Sequence, residues 1–350
     1  MASSEDSSEL SPGVHRRPHR VELQPNLRRE PPSPEELIEA RKTVVAHDIT
    51  TPTYRSASLS DRHGRDIRVK YEIFTPIRSF KVRGPLWAVS QAKRARASAI
   101  VTASTGNHGQ GVAYAGAEVG VPVTVFVPED VDPVKFQQMD ALGAQIERFG
   151  SSLADAERGA QAFAAQQDAV YLEDGEDPHL MAGAASLGFE LLEQMPDVDT
   201  ILAPVGGGNL AAALALAIDH VGSPTKLIGV QSTAAPGATT SWLSGTMDRR
   251  PSRTRAGGLA TDRPGHLALT VLHEHLAAMC LVEELDLWPG VRETFEAIGY
   301  AVELAAAAPI VALERFGHEI PGDTVALIAS GACIDTAELI TALSTDATLR

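Results

Sequence analysis

Residues 98–120 read SAIVTASTGNHGQGVAYAGAEVG. A short β-branched run, Ile100 to Thr102, breaks into polar residues and glycines, and an alanine-rich stretch of helical length follows. Strand, glycine turn and helix in that order form the repeating unit of a parallel sheet, and the turn leaves free backbone amides at a helix N-terminus. Working outward, the runs IRVKYEIF, VPVTVFVP, AQIERFG, AVYLED, TILAPV, KLIGVQS and DTVALIAS read as further strands separated by helical segments. This alternation predicts an α/β protein with mainly parallel sheets covered on both faces.

Three strand ends carry unusual residues. The loop Ser104 to Gly111 offers amides and hydroxyls to a carboxylate; a plain glycine turn capped by Asn107 explains the loop equally well when it is taken alone. After TILAPV come Gly206, Gly207, Gly208 and Asn209. Consecutive glycines strip the turn of Cβ atoms and make a nest for a phosphate at a helix start. The turn lacks the GK[ST] ending of a nucleoside triphosphate loop and the GxGxxG spacing of a dinucleotide site, so a phosphate monoester fits better than a nucleotide. The third strand ends at Ser330, whose hydroxyl suits a heterocyclic nitrogen.

Composition narrows the class. A chain of 350 residues with 44% hydrophobic content predicts two domains. A formal net charge of -15 argues against nucleic acid or anionic membrane as partner and favours a small-molecule substrate. Two cysteines, Cys280 and Cys333, form no CxxC pair, which excludes a disulfide framework and fits a cytoplasmic protein. No apolar run is long enough for a membrane span. Residues 1–33, rich in Ser, Pro and charge, are expected to be a disordered tail with a solvated HRRPHR cluster. Order is expected from Ser33, which can cap a helix beginning at Pro34, with Glu35 and Glu36 in its first turn.

The segment RSFKVRG, residues 78–84, supplies a lysine before a helix-like stretch. One lysine, a phosphate nest, a carboxylate loop and a serine are together the requirements of pyridoxal phosphate: Lys81 takes the aldehyde, the glycines hold the phosphate, and the ring withdraws electrons.

The segments SFKVRG, STGNHGQGVAYA, PVGGGNL and IASGACID, in this order, resemble the serine/threonine dehydratase group of fold-type II pyridoxal-phosphate enzymes from about residue 34 onward. The resemblance implies two three-layer α/β domains. The larger, cofactor-binding domain takes residues 34–81 with 171–350, the smaller takes 82–170, and the cofactor lies between them. It further implies that Lys81 is both the cofactor's covalent partner and the base at Cα, that Phe80 packs near the ring, and that Asn107 bonds the ring hydroxyl. Gly206, Gly207, Gly208 and Asn209 hold the phosphate, Ser330 meets the pyridine nitrogen, and Glu303 lies near the cofactor. Ser104, Thr105, Gly106 and His108 line the site of the substrate carboxylate, with His108 read as a hydrogen-bonding rather than an acid/base residue.

The implied reaction is β-elimination of water from a 3-hydroxy amino acid such as threonine or serine, giving a 2-oxo acid and ammonia, by a cytoplasmic homodimer. Racemisation, β-replacement and a non-catalytic ligand sensor are the alternatives; Thr105 stands where a racemase would want a hydroxyl. Several residues depart from the family pattern. Ile77 and Arg78 replace a small polar residue and a glycine. Arg78 is expected either to pair with Glu72 or to reach the pocket and bind an acidic substrate such as 3-hydroxyaspartate. Gln231 stands where many relatives place a metal-binding glutamate, which argues against a divalent cation, and no metal ligand is assigned. Cys333 reads as a small apolar residue beside Ser330, and the HEH at His273 to His275 as part of a surface helix.

Overall fold

The structure, a computed structural model, describes residues 10–18, 20–345 and 349. Its strands are β1 Gly13–His15, β2 Thr53–Arg55, β3 Asp66–Tyr71, β4 Ile100–Ala103, β5 Val123–Val127, β6 Gln145–Arg148, β7 Val170–Tyr171, β8 Thr200–Pro204, β9 Lys226–Ser232, β10 Ala278–Val282 and β11 Thr324–Ala329. They form a seven-stranded sheet, β1-β10-β9-β8-β11-β3-β2, and a four-stranded sheet, β6-β5-β4-β7. The smaller sheet is parallel throughout. The larger one is parallel in its interior, while its edges β1 and β2 run antiparallel to β10 and β3.

The interior strands β5, β8 and β10 are buried at every position, as strands covered on both faces must be. One face of the larger sheet is covered by the helices Pro178–Gln194, Asn209–Val221 and His266–His275, which interleave Leu187, Leu191, Leu214 and Leu269 above Ile201 and Ala203. The other face carries Leu287–Ile298 and Leu304–Phe316, packed on Val69, Leu202 and Leu327. The helix Pro34–Ala46 starts as its sequence predicts, with the Ser33 hydroxyl accepting from the Glu36 amide and Pro34 at the first position.

The expected disordered tail requires correction over its described part. Gly13 to His15 pair with Met279 to Leu281 as an edge strand, and Leu23 and Leu27 are buried in the core. Arg17 donates to the carbonyls of Val21 and His273. His273, expected on a surface helix, is buried. Residues 1–9 and 19 of the expected tail lie outside the described residues.

Candidate active site

The carboxyl ends of β4, β7, β8 and β11 face one cleft between the two sheets, the position where open α/β sheets bind ligands. Its volume is about 600 Å³, open mouth included. Lys81 lies in a single helical turn, Phe80–Val82, whose first amides are secured by Ser79: the Ser79 hydroxyl accepts from the Lys81 amide. The segment is fastened to the end of β11, because the Phe80 amide donates to the Ser330 carbonyl at 3.0 Å and the Ala332 amide to the Arg78 carbonyl at 2.9 Å. From the other side the helix Asn107–Val119 presses on it. A Cβ on Gly111 would stand 2.0 Å from the Lys81 carbonyl oxygen, so only glycine allows that approach.

All of the residues expected to hold the cofactor come to this cleft. Phe80, Lys81, Asn107, Glu303 and Ser330 line it together with Gly206 to Asn209. Asn107 donates from its side-chain amide to both oxygens of Glu303, at 3.2 and 3.0 Å. Burial pushes the Glu303 carboxyl up from its ordinary range, against the pull of these bonds.

The phosphate end passes a geometric test. Gly206 is forced to be glycine, since its Cβ would meet the Gly258 carbonyl oxygen at 2.3 Å, and Gly208 takes a φ of 94° that glycine tolerates. Asn209 then begins the helix Asn209–Val221 with no side-chain cap. Among the described residues the buried Asn209 Oδ1 and Thr261 Oγ1 meet no hydrogen-bond partner, although both residues line the cleft. Unpaired polar atoms around a helix N-terminus and a Cβ-free turn fit a phosphate monoester.

The loop expected to bind the substrate carboxylate is divided. His108 lines a smaller cavity behind Lys81, whereas Ser104, Thr105 and Gly106 form the turn before the helix, with the Gly106 amide donating to the Ser104 hydroxyl. The Thr102 hydroxyl donates to the Leu172 carbonyl and so accepts from His108 Nε2 at 3.1 Å. Burial lowers the imidazole's pKa, which leaves a neutral, hydrogen-bonding histidine. Arg78 is exposed with a left-handed φ of 56°, and Glu72, its expected partner, is taken instead by Arg83. Cys333 Sγ donates to the Ile77 carbonyl, and burial pushes its thiol up to about 11, so it is no nucleophile. Gln231 is fully buried and its Oε1 accepts from the amide and hydroxyl of Thr239. Among the described residues no group of three or more His, Cys, Asp or Glu side chains is arranged to hold a metal ion.

Sequence reasoning missed Thr261, Gly258 and above all Asp174. Asp174 follows β7 and its carboxylate pairs with Lys81 Nζ. Burial between the walls pushes this carboxyl up, but the Lys81 ammonium beside it holds it down at about 2. The side chain keeps 40% of its surface open to the cleft, so the pairing is a screened one. The rule that exposed Ser104, Gly206 and Ser330, polar residues just past a strand's carboxyl end, also marks Asp174 in AVYLEDG.

A lysine and a Cβ-poor glycine turn lining one cleft between two mainly parallel sheets fit a phosphorylated, aldehyde-bearing cofactor. Residues 45–331 match the family described as Pyridoxal-phosphate dependent enzyme, and the chain belongs to it. An L-threonine ammonia-lyase of Geobacter sulfurreducens is 34% identical over 284 residues, 80% of this chain and 71% of that protein. An L-threo-3-hydroxyaspartate ammonia-lyase of Saccharomyces cerevisiae is 27% identical over 311 residues, covering 88% of this chain and 95% of that protein. The crystal structure of a T.th. threonine deaminase superposes with a TM-score of 0.80 at 32% identity, covering 87% of this chain and 99% of that one. The expected α/β architecture with mainly parallel sheets is thus the observed one.

Proposed function

We propose that the protein removes water from a 3-hydroxy amino acid with a neutral side chain, threonine or serine, and releases a 2-oxo acid and ammonia. The observation that carries this reading is the convergence of Lys81, the Gly206 to Gly208 turn and Ser330 on one cleft. The relatives named as acting on threonine support it. Bound there, pyridoxal phosphate supplies an aldehyde for the substrate's amine and a ring that withdraws electrons from Cα. Lys81 Nζ would hold this group, and its free amine would be the base for the substrate's Cα proton. Ser330 would offer the bound group a neutral hydroxyl and no negative charge, chemistry that favours prompt loss of the β-hydroxyl over transamination. Asn107, itself oriented by Glu303, would help to hold the group, and the Ser104 to His108 turn would receive the substrate carboxylate.

The same reading places the protein in the cytoplasm as a homodimer that needs no activating divalent cation. Among the described residues no helix is long and apolar enough to cross a membrane. An exposed aromatic group, Tyr54, Phe74 and Tyr300, offers apolar surface to a second copy.

The test starts from purified protein loaded with pyridoxal phosphate, which should absorb in the visible and form 2-oxobutanoate and ammonia from L-threonine. Lys81→Ala should lose both. Borohydride reduction and peptide mapping should place the label on Lys81; a label on another lysine overturns the site, and a correctly labelled enzyme inert toward hydroxy amino acids overturns the reaction.

A further inference from the structure

We propose that Asp174 sets the charge selectivity of the cleft, admitting amino acids with neutral side chains and turning away those with a second carboxylate. The inference rests on the proposed reaction, in which a substrate amine comes to the place of Lys81 Nζ. That atom is where the Asp174 carboxylate pairs, and His108 Nδ1 lies 3.9 Å from its other oxygen. Asp174 lines both the main cleft and the smaller cavity behind Lys81. A substrate whose amine takes the lysine's position therefore carries its Cα and Cβ to within a few bonds of an ionised carboxylate.

The residue has no other evident task. Asp177, three positions on, caps the helix Pro178–Gln194 by accepting from the amides of His179 and Leu180. The Asp174 side chain, by contrast, accepts among the described residues only from Lys81. Around it the charges do not favour an acidic ligand. Glu303 places a second carboxylate across the cleft, bonded to Asn107, and His108 is held neutral with Nε2 turned to Thr102. Arg78, three residues before Lys81, is exposed and does not line the cleft. Discrimination then arises from repulsion of the wrong ligand, which like charges in a half-buried site supply without any new attractive contact to the right one.

The experiment compares wild type, Asp174→Asn and Asp174→Glu, all loaded with pyridoxal phosphate. The first readout is equilibrium binding of L-alanine and L-aspartate, followed by the change in visible absorption, which requires no turnover. The second is kcat/KM for L-threonine and L-threo-3-hydroxyaspartate. Wild type should favour the neutral member of each pair. Asp174→Asn should shift both ratios toward the acidic ligand by about tenfold or more, and Asp174→Glu should retain the wild-type preference. A binding ratio in Asp174→Asn within about twofold of wild type overturns the proposal. Equal loss of both ligands also overturns it, since that outcome assigns Asp174 to positioning Lys81. If threonine is not turned over at all, the dehydratase reading fails while the binding ratio still decides the role of Asp174.

Discussion

The guanidinium of Arg83 closes two parallel hydrogen bonds on the carboxylate of Glu72, at 2.7 Å from Nε and 2.9 Å from Nη2, with both side chains fully buried. Arg83 heads the helix Arg83–Arg94 two residues after Lys81, and Glu72 follows β3 in the larger sheet. Glu190, from the helix Pro178–Gln194, accepts from Arg83 Nη1 at 3.1 Å and from the buried Lys70 ammonium at 2.5 Å. Two cations and two anions thus neutralise one another beneath the cleft and tie the lysine turn to the larger sheet. Breaking a buried pair leaves an uncompensated charge, so Glu72→Ala should destabilise the protein by about 3 to 5 kcal/mol. Urea unfolding measures this; a loss below about 1 kcal/mol would show that the cluster does not anchor the turn.

The glycine turn makes a second, purely steric prediction. A methyl group at Gly206 would stand 2.3 Å from the Gly258 carbonyl, whereas at Gly207 it would meet nothing nearer than Thr261 Cγ2 at 4.0 Å. Gly206→Ala should therefore cost about 1 to 3 kcal/mol by overpacking and weaken cofactor binding at least about tenfold. Gly207→Ala should leave the cofactor-free protein's stability within about 0.5 kcal/mol. Thermal unfolding with and without pyridoxal phosphate separates the two.

How much of this was legible in the sequence follows from where each residue's partners lie. Strands β4, β8 and β11 announce themselves as apolar runs ending in glycine or serine, because an interior parallel strand is buried on both faces and its carboxyl end opens on the ligand. The edges β1 and β2 were invisible, being three residues each and specified by the neighbours they join. β10 was missed because AMCLV follows the helix His266–His275 after only Leu276 and Ala277, with no glycine or proline to mark the break. Lys70 and Glu72, charged residues within the run IRVKYEIF, are buried because their partners come from afar: Glu190, 120 residues beyond Lys70, makes Lys70 a core residue. For the same reason Arg78, the next arginine along the chain, was the wrong partner for Glu72: Arg83, at the head of the following helix, takes it instead.

Metal removal gives a third expectation. Gln231 is a buried carboxamide occupied by Thr239, which fastens the helix Gly237–Ser244 to β9. EDTA should leave kcat/KM for threonine within about twofold. Gln231→Glu should lower the stability of the metal-free protein by about 1 to 3 kcal/mol, since it places a charge where one neutral acceptor is already satisfied. Strong, reversible inactivation by EDTA would mean that another set of oxygen ligands holds a cation.

Arg78 closes the account of the lysine turn. Its backbone is fixed on both sides, the amide donating to the Thr75 carbonyl at 2.8 Å and the carbonyl accepting from Ala332 at 2.9 Å, and between these bonds φ is 56°. A left-handed conformation costs a residue with a Cβ about 1 to 2 kcal/mol, whereas glycine adopts it freely but loses about 0.4 to 1 kcal/mol through its more mobile unfolded chain. The balance favours Arg78→Gly by up to about 1 kcal/mol, or a rise in Tm of about 1 to 3 °C. Because the guanidinium is exposed and off the cleft, the same substitution should leave the ratio of kcat/KM for threonine over threo-3-hydroxyaspartate unchanged. Tm by calorimetry and the two kinetic constants test both halves. A stability gain with an unchanged ratio identifies Arg78 as a strained surface residue, and a selective loss with the acidic substrate would return it to the binding site.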